Sequence, residues 1–148
     1  MTILVLKTIT KYRMIEGGCA CGDFRYQVNG EPALMGNCHC TDCKQASGSE
    51  MSVVVGVAAD SFKILQGETK RWTCKGDSGE DVTRNFCPNC GSRLYTEAVI
   101  MPDMIIIQAG SLDDSSWVKP GMELYTDNMS SWYEVSEGVK TFPGMPTE

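Results

Sequence analysis

Seven of the eight cysteines in this 148-residue chain fall into three short groups: Cys19 with Cys21, Cys38 with Cys40 and Cys43, and Cys87 with Cys90. Such crowding has three chemical explanations: disulfide pairing, metal ligation, or small buried hydrophobes that happen to be neighbours. In an extended segment residues i and i+2 share a face, so Cys19 and Cys21 would present both sulfurs to one spot. In Cys87-Pro88-Asn89-Cys90-Gly91, Pro88 sets one turn dihedral and Gly91 tolerates a positive φ, which bends the pair into a knuckle with converging thiolates. Together these four sulfurs are the donor set of a closed tetrahedral zinc site that would fasten the N-terminal part of the chain to a distant hairpin. A disulfide between Cys19 and Cys21 would instead close a very small, strained ring.

The middle group reads NCHCTDCKQASG. Cys38 and Cys40 again share a face, and a turn would fold Cys43 back onto them. Three protein ligands and an open position distinguish a catalytic zinc from a structural one, and the open position accepts a water, a carbonyl or a substrate thiol. The alternatives are a thiol redox relay and an ion closed by a further ligand. His39 lies between Cys38 and Cys40 and should point away from their shared face, which makes it a poor ligand for the same ion. It reads as a surface histidine or one that supports the ligands, with a proton shuttle as the rival role. Cys74, in RWTCK, reads as a small buried hydrophobe.

The elements that must position these residues are mostly strands. Runs at Phe24–Val28, Met51–Val57, Phe62–Leu65, Lys70–Lys75, Val82–Phe86, Arg93–Val99, Met104–Ala109 and Met122–Tyr125 are β-rich and separated by Gly, Asn and Asp clusters. Helix is expected only near Thr41–Ala46 and Ser130–Val135. The acidic stretch GDSGED at 76–81 reads as a solvated hairpin tip, and Asp113-Asp114 as a turn or cap rather than an acid/base pair. Trp117, Trp132 and Tyr133 should pack the C-terminal third onto the sheet.

Composition narrows the function classes. With 42% hydrophobic and 22% charged residues the chain is too apolar for disorder and too mixed for a membrane span. A net charge of −6 argues against a phosphate-binding surface, so nucleic acid is not an expected partner. The apolar run Ile3–Leu6 stops at Lys7, short of the roughly 7–15 apolar residues of an export signal, which points to a reducing, cytoplasmic compartment. There, eight cysteines are better explained by metal or catalysis than by a disulfide framework.

The ordered pattern G-x-C-x-C-G, C-H-C-x-x-C-K-x-x-S-G, F-C-P-x-C-G, G-S-L-D-D and F-P-G-x-P runs from Gly17 to Pro146. It resembles the glutathione-dependent formaldehyde-activating enzyme family, which shares its domain with centromere protein V. The resemblance implies a mainly β, Mss4-like fold of twisted antiparallel sheets with short helical turns, stabilised by two zinc ions. It implies a structural zinc on Cys19, Cys21, Cys87 and Cys90 and a second, catalytic zinc on Cys38, Cys40 and Cys43, in a domain spanning 17–146 after an N-terminal extension or strand at 1–16. The activity it implies is that of a carbon–sulfur lyase joining a small thiol such as glutathione to a small aldehyde such as formaldehyde, giving S-hydroxymethylglutathione. Lys44 stands where relatives often carry Arg, a point charge in place of a planar fork, which bears on how a glutathione carboxylate would be held. Two rival functions remain beside this one: a zinc-stabilised binding module without catalysis, and a thiol redox protein cycling through the 38/40/43 cysteines.

Overall fold

A computed structural model of the chain describes residues 14–146, and the apolar run near the N-terminus lies outside them. The described residues form eleven strands and one α-helix: β1 Met14–Gly18, β2 Arg25–Asn29, β3 Leu34–Cys38, α1 Thr41–Ser47, β4 Ser52–Ala58, β5 Phe62–Gln66, β6 Lys70–Lys75, β7 Asp81–Phe86, β8 Arg93–Ala98, β9 Met104–Gln108, β10 Met122–Leu124 and β11 Lys140–Thr141. The expectation of a mainly β protein holds. Two sheets carry it, one of three strands in the order β1-β2-β5 and one of eight in the order β11-β10-β3-β4-β9-β8-β7-β6. Pairing is antiparallel throughout except at one end of the larger sheet, where β10 runs parallel to both β3 and β11.

The core is built by period-two alternation. Tyr26 and Val28 of β2 and Ile105 and Ile107 of β9 are buried while their sequence neighbours are not, so each strand turns one face inward. Phe24, Tyr26, Val55, Val57, Leu94 and Ile107 are fully enclosed in one cluster. Aromatic contacts run through it, with Phe62 against Tyr26 at 5.2 Å and against Tyr95 at 4.8 Å between ring centres. β1 of the small sheet also bridges, at Gly17, to Leu112 in the segment that follows β9. Gly17 is required there, because a Cβ would lie 2.4 Å from the Tyr26 hydroxyl oxygen, which is itself hydrogen-bonded to Ser111 Oγ at 2.7 Å.

Three expectations change. No helix forms over Ser130–Val135, whose residues make turns around a Tyr133 N–H to Ser130 C=O bond at 3.1 Å. Its β-branched and aromatic content is poor for an isolated short helix, and Tyr133 is held by side-chain partners instead. Trp132 is 69% exposed, whereas Trp117 packs on the core as expected. β3 and β11 were not separately legible, since Leu34–Cys38 contains Gly and Asn and β11 has only two residues. No helix of the described residues is long and apolar enough to cross a membrane.

The two ends of this architecture should respond differently to substitution. Ile107→Ala, at a fully buried site, is expected to lower unfolding free energy by about 2–5 kcal/mol, and Trp72→Ala, 55% exposed on the edge strand β6, by about 0.5 kcal/mol or less. Urea titration of both variants checks this; equal losses would contradict the placement of the core.

Candidate metal centres

The first centre is made by two turns. After β1, Cys19 N–H bonds to Phe24 C=O at 3.1 Å and Gly22 N–H returns to Cys19 C=O at 3.2 Å. Between β7 and β8, Cys87 N–H bonds to Ser92 C=O at 3.0 Å and Gly91 N–H returns to Cys87 C=O at 2.9 Å. Gly22 and Gly91 have φ of 84° and 76°, the left-handed conformation each turn needs. Cys19 and Cys21 therefore converge through a turn and not through extended alternation, with their sulfurs 3.5 Å apart. All four sulfurs of Cys19, Cys21, Cys87 and Cys90 lie within 4.8 Å of one another. Ser92 links the two turns, accepting from Ala20 N–H at 2.9 Å and lying 3.1 Å from Cys90 Sγ. Its side-chain and backbone hydrogen bonds pull the Cys90 thiol down to about 5.

The second centre sits where β3 ends and α1 begins. Cys40 is the N-cap of that helix, its sulfur accepting from Cys43 N–H at 3.2 Å, so the helical turn itself brings Cys43 back toward Cys40. The sulfurs of Cys38, Cys40 and Cys43 also lie within 4.8 Å of one another. They do not ionise alike. Hydrogen bonds from Cys38 and Cys40, joined by the charge of Arg84, draw Cys43 down to about 3, while the same thiol contacts and burial push Cys38 up. None of the eight cysteines is in a disulfide. Close free thiols receiving backbone N–H bonds are a donor set that suits metal ligation at both centres.

A cleft of about 590 Å³ opens beside the second centre. Cys38, Cys40 and Cys43 line it, and Cys19, Cys21, Cys87 and Cys90 do not. Its other walls come from β7 and β8, from the C-terminal segment at Met145 and Pro146, and from Asp77 and Ser78 in the β6–β7 loop. That loop is thus more than a solvated tip. Tyr125, the only described non-glycine residue with positive φ (57°), also lines the cleft, its hydroxyl proton held by burial and by Asp77.

His39 is 1% exposed, which removes the surface reading. It faces away from the sulfurs, as alternation requires, and its Nε2 lies 2.5 Å from Glu123 Oε1. Asn37 Nδ2 and the Tyr133 hydroxyl donate to Glu123 Oε2 at 3.0 and 2.9 Å, so one buried carboxylate on β10 gathers three partners. Cys74 is only half-buried, with Arg84 Nη1 donating to its sulfur at 3.4 Å, so it is a polar contact and not a core hydrophobe. Asp113 pairs with Arg25, and Asp114 Oδ1 accepts from Ser116 N–H at 3.0 Å in a turn, as expected of adjacent acids. Lys44 is anchored to the Asn128 carbonyl and to Glu50 and does not line the cleft. Arg84, Arg93, Glu123 and Tyr125 were missed by the sequence reading. The two arginines had a signal: they stand three residues before Cys87 and three after Cys90.

Residues 14–128 match the family model described as glutathione-dependent formaldehyde-activating enzyme. No curated protein sequence matches the chain. Among solved structures, a crystal structure of a Rhodobacter sphaeroides protein, a structural-genomics target, is similar with a TM-score of 0.54 and 18% identity, covering 71% of this chain and 91% of the other. At that identity the likeness concerns the fold.

The tether behind the second centre generates a prediction. Glu123→Ala leaves His39, Asn37 and Tyr133 without their shared acceptor and should cost about 2 kcal/mol or more in chemical denaturation, against a smaller loss for Tyr133→Phe, which removes one donor. The reverse order would place the anchoring role elsewhere.

Proposed function

This chain belongs to the glutathione-dependent formaldehyde-activating enzyme family, and on that footing we propose that it is a zinc-dependent carbon–sulfur lyase that makes and breaks the adduct of a small thiol with a small aldehyde. The reference case is S-hydroxymethylglutathione, formed from glutathione and formaldehyde. One observation carries this reading: of the two sulfur clusters, the three-cysteine cluster alone lines the cleft. A donor set of three, beside space for a ligand, suits reactive chemistry, and a donor set of four away from that space suits a structural role.

In this reading Cys38, Cys40 and Cys43 hold the reactive zinc, and Cys19, Cys21, Cys87 and Cys90 hold a structural one, two ions in a domain spanning 17–146. A reducing, cytoplasmic compartment keeps all seven thiols available. When bound at the three-sulfur centre, zinc supplies the Lewis acidity that turns an incoming thiol, mostly protonated at neutral pH, into a thiolate. The thiol sulfur then bonds to the carbonyl carbon, the π pair moves to oxygen, and a proton completes the hydroxyl. The reverse sequence releases thiol and aldehyde. The chain's own part is positional: α1 holds Cys43 against Cys40, the Glu123 tether holds the far side of β3, and apolar side chains such as Val54, Leu94 and Ile106 limit water in the cleft.

Metal analysis separates the two centres. Cys40→Ser is expected to lose one zinc equivalent and keep the circular dichroism of the parent, while Cys87→Ser loses the other and unfolds or aggregates; retention of both ions by both variants would reject the assignment.

Activity is read by exchange NMR. The protein should raise the interconversion rate of formaldehyde and S-hydroxymethylglutathione above the spontaneous rate, and glutathione should change the spectrum of cobalt-substituted protein. An unchanged rate together with an unchanged spectrum at saturating thiol would leave a non-catalytic zinc module.

A further inference from the structure

Four arginines are described, and they divide by surroundings. Arg25 and Arg71 pair with carboxylates, Asp113 and Glu97. Arg84 and Arg93 have no carboxylate partner among the described residues, and both line the cleft beside the three-cysteine centre. Arg84 is 8% exposed and its neighbours are sulfurs, Cys74 at 3.4 Å and Cys43, on which its charge acts. Arg93 lies with its guanidinium carbon 5.1 Å from the centre of the Phe86 ring, and its Nη1 is a buried donor with no hydrogen-bond partner among the described residues.

For Arg93 this arrangement is costly without a ligand, whereas the charge of Arg84 is met by the Cys43 and Cys74 sulfurs. Two like charges close enough to act on each other oppose one another in a partly desolvated wall, and a buried N–H without an acceptor costs about 1–3 kcal/mol. The two acids that line the same cleft do not relieve it: Asp77 is engaged by Tyr125, and Asp42 stands in the first turn of α1. The rest of the lining is mostly apolar, including Leu34, Val54, Leu94, Met101 and Ile106. A guanidinium fork with a free donor, as at Arg93, matches a carboxylate in geometry and charge, and the mostly apolar lining beside it favours an apolar body.

We propose that Arg84 and Arg93 form a carboxylate-recognising wall, so that the preferred thiol of this cleft is a compact mercapto acid with an apolar body. The inference rests on the lyase reading above, because it assumes that the thiol end of the same molecule meets Cys38, Cys40 and Cys43. Arg84 and Arg93 are recognition residues here and take no part in bond making. Lys44, held outside the cleft, is not part of the wall.

The test is calorimetric titration of the zinc-loaded protein with 3-mercaptopropionate, its isosteric amide 3-mercaptopropionamide, and the thiol-free acid 3-phenylpropionate. The acid thiol is expected to bind about tenfold or more tightly than the amide, the scale of one charge-assisted hydrogen bond. Arg93→Gln, at a half-buried position that should tolerate it, removes most of that preference while leaving amide affinity and zinc content as they were; Arg84→Lys tests the second guanidinium with its charge retained. Equal binding of acid and amide, or a preference that survives both substitutions, overturns the proposal and leaves the lyase reading standing. If neither thiol binds, Arg93-dependent binding of 3-phenylpropionate still supports the carboxylate wall and its absence sinks it, while the lyase reading is decided by the glutathione exchange rate.

Discussion

The convergence of Cys19 and Cys21 with Cys87 and Cys90 is the constraint on which the rest is arranged. It joins the turn between β1 and β2 of the small sheet to the turn between β7 and β8 of the large one, and Ser92 spans the two with its own hydrogen bonds. Hydrophobic burial between the sheets is substantial but has no preferred direction, whereas the proposed ligation of a metal by these four sulfurs would admit one geometry. The β7–β8 hairpin is held at its turn by this junction, and that hairpin supplies one wall of the cleft.

The opposite wall depends on β3 and the two residues that follow it, His39 and Cys40, a stretch whose two faces are given to different chemistry. Cys38 and Cys40 turn to the cleft, while Asn37 and His39 turn to the buried Glu123. A strand alternates strictly, so holding one face fixes the other: the carboxylate that gathers Asn37, His39 and Tyr133 also sets where the cysteine sulfurs stand. β3 joins β10 through only two residue pairs in parallel register, and the Glu123 network reinforces that short ladder with side-chain bonds.

Local chemistry in the sequence accounts for most of what could be read from it. Strands from Lys70–Lys75 to Met104–Gln108 follow from β-branched runs between turn residues, and the sulfur groups follow from spacing. Where reading failed, the deciding interaction was remote. Glu123 owes its burial to Asn37 and His39, more than eighty positions away, and nothing adjacent to it in sequence signals this. Ser130–Val135 lacks a helix because Tyr133 is recruited by that carboxylate. Tyr125 adopts a left-handed backbone that no glycine announces. Cys19 and Cys21 converge as expected, though through a hydrogen-bonded turn, because spacing constrains the meeting of two sulfurs more tightly than the path between them.

The position of Arg84 and Arg93 on either side of the Cys87–Cys90 knuckle bears on how the cleft can be altered. They flank the sulfur junction directly, so a change on that bank of the cleft that keeps the junction is an exchange of side chains. The facing bank, from Tyr125 to the segment around Met145, is bound by ordinary hydrogen bonds such as Tyr125 N–H to Gly144 C=O and carries no cysteine. Insertions, deletions and new loop shapes there leave the sulfur junction untouched. Reshaping the cleft of this chain is therefore less constrained on the C-terminal bank than on the arginine bank.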